Sequence, residues 1–164
     1  ALLAAGEPAH LTIAGGFRWP EAETEVARAI ERLRLREHVT LLPPFTQEQA
    51  PEIYAQAHLL LHPKYKDPCP TVVIEALAGG LPVIGSRSGG LPELVPENCG
   101  RLLPVPDDWE SDHAPDGEAM ARAAMELMSS REQFAEAARA HAEATFDASR
   151  WVAAHERIFE EVRR

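Results

Sequence analysis

The chain has 164 residues, 45% of them hydrophobic and 26% charged, with a formal net charge of -10 at neutral pH. That length suits one domain with a single core, and no apolar run approaches the ~18 residues of a membrane span, so a soluble globular protein is expected. The acidic balance argues against a surface that neutralises a nucleic-acid backbone, while leaving room for a small basic pocket that takes one phosphate.

The opening "ALLAAGEP" reads as the last turns of a helix, with Gly6 past its end and Pro8 barring continuation. With neither an initiator Met nor a charged leader, the chain is expected to be a fragment of a larger two-domain protein, residues 1–164 forming a single domain of it. "HLTIAGG" (10–16) then predicts a strand and turn. "EAETEVARAIERLRL" (21–35) predicts an amphipathic helix with Val26, Ala29, Ile30 and Leu33 on one face. "HVTLL" (38–42) predicts the next strand, followed by a short helix from Thr46 to about Gln56. The strand "HLLLH" (58–62), the helix in "PTVVIEALAGG" (70–80), the strand "PVIGS" (82–86), a short helix at "LPELV" and a last strand at "GRLLPV" (100–105) complete the series. Strands alternating with helices imply βαβ units, hence an α/β, Rossmann-like doubly wound parallel sheet with helices on both faces.

Beyond Pro106 a polar loop, "DDWESDHAPDG", leads into a C-terminal helical segment. Asp116 caps one helix, with Met120, Ala123, Ala124 and Leu127 in register; a second runs from about Arg131 to Thr145. A third, beginning near Asp147 to Ser149, carries a wide apolar stripe of Trp151, Val152, His155, Ile158, Phe159 and Val162, expected to pack on the domain's own sheet.

Open parallel sheets bind ligands outside the carboxyl ends of their strands. The unusual residues all follow strands: Gly15-Gly16, "PPF" (43–45), "PKYKDPCP" (63–70) and "SRSGG" (86–90), four loops expected to converge on one crevice. Gly pairs there would let backbone N–H groups approach a phosphate, although turn and helix-end roles explain any one pair equally well. Asp67 and Glu75 are the sharper pair. One lies in the Pro-rich loop and the other in the helix that Pro70 opens near its first position, so both are placed to meet one ligand. Carboxylates accept bonds from vicinal hydroxyls, which suits a ribose or a sugar better than an anion. Metal binding would need more ligands, with His62 the only further candidate; a polar strand-end role suits it better. Cys69 and Cys99 lack CxxC spacing and read as reduced thiols, consistent with a cytoplasmic location.

The segment "DPCPTVVIEALAGGLPVIGSRSGGLPE" resembles the signature of the retaining family 4 glycosyltransferases of the GT-B fold: an acid, seven residues and a Glu, then Gly-x-Pro-Val and a Gly-Gly-x-x-Glu turn. With "LTIAGG", "HVTLLPPF" and "AHLLLHP" in family order, the similarity covers about residues 1–160. The resemblance implies the C-terminal, nucleotide-sugar-binding half of a glycosyltransferase, with UDP-, GDP- or ADP-sugar as substrate, no tightly bound cofactor, no metal and no nucleic-acid partner. By carry-over Glu75 holds the ribose hydroxyls, while Asp67 and the loop through Pro70 and Thr71 hold the donor sugar. Gly15, Gly16 and Phe45 border the base. Asp67 stands where the family usually has Glu, one methylene longer.

The family's diphosphate-neutralising Arg and Lys lie upstream of the "LTIAGG" strand. Of Lys64, Lys66 and Arg87, Lys66 is therefore the candidate phosphate contact, the alternative being solvated loop charges. The resemblance places acceptor binding on an N-terminal domain outside this chain, and implies as the alternative for the last helix that it crosses to that domain, its apolar stripe being left exposed or paired with a neighbour in a free fragment. It expects the fragment alone to be inactive and allows peripheral membrane association of the parent. A non-catalytic nucleotide-binding or interaction module and a sugar-nucleotide epimerase on the same fold remain the alternative readings.

Overall fold

A computed structural model describes residues 1–17 and 19–163. The chain divides into two compact units, Ala1–Glu52 and Ile53–Arg164.

In the first unit a 3-10 turn at Leu3–Ala5 is closed by Gly6 at φ 82°, whose N–H bonds the Leu3 carbonyl, as its Gly-Pro punctuation predicts. Strands β1 (Leu11–Ala14) and β2 (Val39–Leu42) pair in parallel, Leu11 opposite Val39 and Ala14 opposite Leu42. Between them runs α1 (Pro20–Arg32), with proline in its first turn and Glu21 and Glu23 beside its positive end. Its apolar face is shallowly covered: Ala22 is buried, while Val26, Ala29 and Ile30 are half-buried. The helix stops three residues before the expected Leu35 because Arg34 adopts φ 55°. The N–H groups of Arg34 and Leu35 turn back onto the carbonyls of Glu31 and Ile30, a Schellman closure made without glycine. Leu33 is thereby left exposed.

The unit boundary falls within α2 (Ala50–Ala55), shorter than its expected span from Thr46. Thr46 and Gln49 instead form a turn before it, the Thr46 N–H donating to Gln49 Oε1 at 2.9 Å. The second unit holds a parallel sheet ordered β3 (Leu60–His62), β4 (Val83–Ser86), β5 (Gly100–Leu103), with His62 opposite Gly85. The central β4 is fully buried, as expected of a strand paired on both edges and covered by helices. Helix α3 (Thr71–Ala78) packs on β3 and β4 and against α6 (Arg131–Thr145); α5 (Gly117–Ser129) packs on β4 and β5. The core comprises Val73, Leu77, Val83, Val95, Cys99, Ala138 and Ala142. Each fully buried Val or Leu is worth about 1.5–3 kcal/mol, more than helix propensity contributes to the eight residues of α3. Leu91 of the short α4 (Leu91–Leu94) is also fully buried. Asp116 caps α5 as predicted, accepting the Ala119 N–H at 2.9 Å.

Helix α7 (Ala148–Val162), capped by Asp147, departs from expectation. None of its residues is buried: Trp151 is 62% exposed and Phe159 64%. The buried positions Ala123, Ala124 and Leu127 of α5 and Ala138 and Ala142 of α6 already fill the core, and the α7 stripe does not pack on the sheet. Among the described residues no helix is long and apolar enough to cross a membrane.

Candidate functional site

The loops that follow β3 and β4 lock together. Gly90 N–H donates to the Asp67 carbonyl at 2.8 Å, Ser86 Oγ–H to the Lys64 carbonyl at 2.6 Å, and Lys66 N–H to Ser88 Oγ at 3.0 Å. A Cβ on Gly90 would stand 2.0 Å from the Pro68 carbonyl oxygen, and one on Gly89, at φ 59°, 2.3 Å from that of Asp67. The Gly89-Gly90 pair is therefore explained by the close approach of the 63–70 loop. The Gly90 amide expected for a phosphate is already spent on that loop.

Held this way, the loop presents Asp67. Its Oδ2 lies 3.1 Å from Lys64 Nζ and 3.3 Å from His62 Nε2, and its side chain is only 13% exposed. Desolvation works against the charge, but the bonds and charges of Lys64 and His62 outweigh it and hold the carboxyl below its ordinary range. His62, at the end of β3, is the reverse: burial pushes its imidazole below the usual range despite the pull of Asp67. Among the described residues its buried Nε2 has no partner with hydrogen-bonding geometry.

Glu75 sits in the second turn of α3 and accepts the Tyr54 hydroxyl at 2.8 Å. Burial, and then the bond and negative charge of Glu75, push the Tyr54 phenol well above its ordinary pKa. Tyr54 thus remains a donor, fixing a carboxylate that keeps lone pairs for further donors. Pro70 occupies the N-cap of α3, at ψ 107°, one place earlier than expected, and Thr71 is the first helical residue.

Lys66, at φ 47°, directs its ammonium to Asp107 Oδ1 at 2.8 Å and lies 3.7 Å above the Trp109 ring. Desolvation is overcome by the bonds to Asp107 and Tyr65, which raise its pKa. The neighbouring Tyr65 hydroxyl shares its one proton between the carbonyls of Pro106 and Asp108, each 2.8 Å away, and accepts the Asp108 N–H. His113 bonds Asp108 at 2.6 Å and meets the Tyr65 ring edge-on. The segment read only as a polar loop is thus fastened over the β3 loop. Arg87 turns to the Leu102 carbonyl instead. Tyr54, Asp107 and His62 as partners of the acidic and basic residues were not read from the sequence, since each partnership depends on how the fold joins separate segments; a lone Trp109 in a polar run was the one local signal.

In the first unit, Gly15 and Gly16 line an open cleft of about 710 Å³ with Trp19, Leu42, Pro43 and Pro44. A Cβ on Gly16 would press on the Pro44 ring at 3.3 Å. Phe45, next in the chain, is 40% exposed. Asp67, Pro70, Thr71, Glu75 and Lys66 all belong to the second unit.

Residues 1–141 match the family model described as Glycosyl transferases group 1. Among curated proteins the chain is similar to a D-inositol 3-phosphate glycosyltransferase of Mycobacteroides abscessus, 38% identical over 80 residues, which cover 47% of this chain and 18% of that protein. Among solved structures it is similar to a glycosyltransferase from Rickettsia africae, with a TM-score of 0.80 at 18% identity over 99% of this chain and 42% of the other. It is also similar to Anabaena Alr3699/HepE in complex with UDP-glucose, with a TM-score of 0.73 at 23% identity over 93% of this chain and 40% of that one. The chain thus spans less than half of either structure. These likenesses establish the GT-B type of α/β fold expected from the signature segment.

Proposed function

This chain belongs to the group 1 glycosyl transferases, and from that premise we propose that it is the donor-binding half of a retaining enzyme. The parent would transfer a sugar from a nucleoside diphosphate sugar to an acceptor hydroxyl. The observation that carries the reading is Glu75 in α3, fixed by Tyr54, eight positions after an Asp67 set between two basic groups. The complex of the similar Anabaena protein with UDP-glucose supports it.

In this reading Glu75 accepts the two ribose hydroxyls. Asp67 accepts a hydroxyl of the donor sugar, while Pro70 and Thr71 carry the start of α3 alongside it. Gly15, Gly16 and Phe45 border the base. Transfer passes through an oxocarbenium-like state as negative charge grows on the leaving diphosphate, so catalysis rests on donors aimed at that charge. Lys66 would serve there after exchanging Asp107 for a phosphate oxygen. A bound metal is not required in this scheme. The acceptor is held by an N-terminal domain of the parent, which covers the exposed stripe of α7, and the parent works in the cytoplasm, at the membrane periphery where its acceptor lies there. This chain alone would bind the donor without turning it over.

Calorimetric titration of the full-length protein with UDP-, GDP- and ADP-sugars tests the assignment. One nucleotide series binds, and Glu75→Ala weakens it at least tenfold, the size of a lost bond to a charged group. Unchanged affinity in Glu75→Ala removes Glu75 from the site.

A further inference from the structure

We infer that His62 is the positioning residue of Asp67, holding one carboxylate oxygen so that the other meets the donor sugar. The inference rests on the donor-site reading above. Both basic neighbours of Asp67 meet Oδ2, Lys64 Nζ at 3.1 Å and His62 Nε2 at 3.3 Å. The two are unequal. The Lys64 side chain is 62% exposed and holds a carboxylate weakly, whereas that of His62 is 12% exposed.

The ring stands on rigid backbone. His62 closes β3 in register with Gly85 of the fully buried β4, where a Cβ would come within 2.9 Å of the His62 carbonyl oxygen. A buried ring nitrogen without a hydrogen bond is costly, and among the described residues the anion paired with it is Asp67. A small rotation of the carboxylate places Oδ2 in line with Nε2–H and fixes the direction of Oδ1. This matters more for Asp67 than for the longer Glu, because a side chain one methylene shorter has less freedom to find the sugar by itself.

Among the described residues the titratable groups acting on His62 are Asp67 and Lys64. At neutral pH the buried ring is neutral and donates one proton. In acid the imidazolium draws Oδ2 in and withdraws charge from Oδ1, so the sugar contact weakens while the nucleotide contacts remain.

The test compares each nucleoside diphosphate with its glucose conjugate (UDP, GDP and ADP series) on the full-length protein, from pH 5 to 8. His62→Leu is expected to lower affinity for the conjugate about tenfold and leave that for the diphosphate unchanged. His62→Gln, which keeps an N–H donor, restores the conjugate's affinity but abolishes its fall in acid. Equal loss for both ligands in His62→Leu, no loss for either, or a pH profile unchanged in His62→Gln overturns the positioning role while the donor site stands. Failure of every ligand to bind the unmodified protein overturns the donor reading, and this inference with it.

Discussion

At the scale of single residues the site depends on contacts with little slack. Gly90 has the Pro68 carbonyl where a side chain would begin, and Gly89 adds a positive φ to the same crowding. Gly89→Ala is expected to cost about 2–4 kcal/mol, from left-handed strain plus overpacking, measured by urea denaturation. A cost under ~0.5 kcal/mol would mean that the two loops are not in contact. His62 and Asp67 also set the acid behaviour. Both have folded-state pKa values below their ordinary ones, so their contribution to stability is present at neutral pH. The His62 share fades as pH falls below about 6.5, and that of Asp67 below about 3.9, each completing its loss through the lowered folded value. In a series of urea midpoints, His62→Leu should flatten the limb just below pH 6.5; an unaltered limb would show that another group causes it.

At the scale of elements, α3 and α7 behave oppositely. Leu77 is fully buried in the core, and Leu77→Ala should cost about 2–5 kcal/mol. Phe159→Ser, on a stripe left 64% exposed at that position, should change the stability of this chain by less than about 0.5 kcal/mol. A comparable cost for the two would contradict the exposed α7. Element type was legible in the sequence, because the periodicity of α1 and α5 follows from burial of one face and the apolar run of β4 from burial of the whole strand; that of α7 marks an amphipathic helix whose stripe stays exposed. Less legible were ends and partners. Arg34 closes α1 in a conformation usually left to glycine, and the amphipathic pattern of α7 does not by itself say whether its stripe meets the domain's own sheet or a partner domain. Asp67 and Glu75 stood out by spacing, whereas Tyr54 meets Glu75, His62 meets Asp67 and the 106–113 loop meets Lys66 only through folding.

At the scale of the whole molecule the two units are unequally built. Most fully buried side chains lie in the second, while the first buries Ala22 and Ala50. Backbone amides of β4 should exchange far more slowly than those of β1 and β2, as hydrogen exchange followed by mass spectrometry would register. Equal protection would contradict this ranking. For the proposed reaction, transfer by the full-length protein should survive chelation with EDTA, the diphosphate being met by basic groups. Loss of transfer restored by added divalent ion would refute that part of the scheme.

Amide chemical-shift mapping of the full-length protein titrated with UDP-, GDP- and ADP-glucose would locate the donor directly. The donor assignment predicts saturable shifts concentrated in residues 64–75, with weaker ones at 15–16 and 43–45. Binding whose shifts leave residues 64–75 untouched would contradict it.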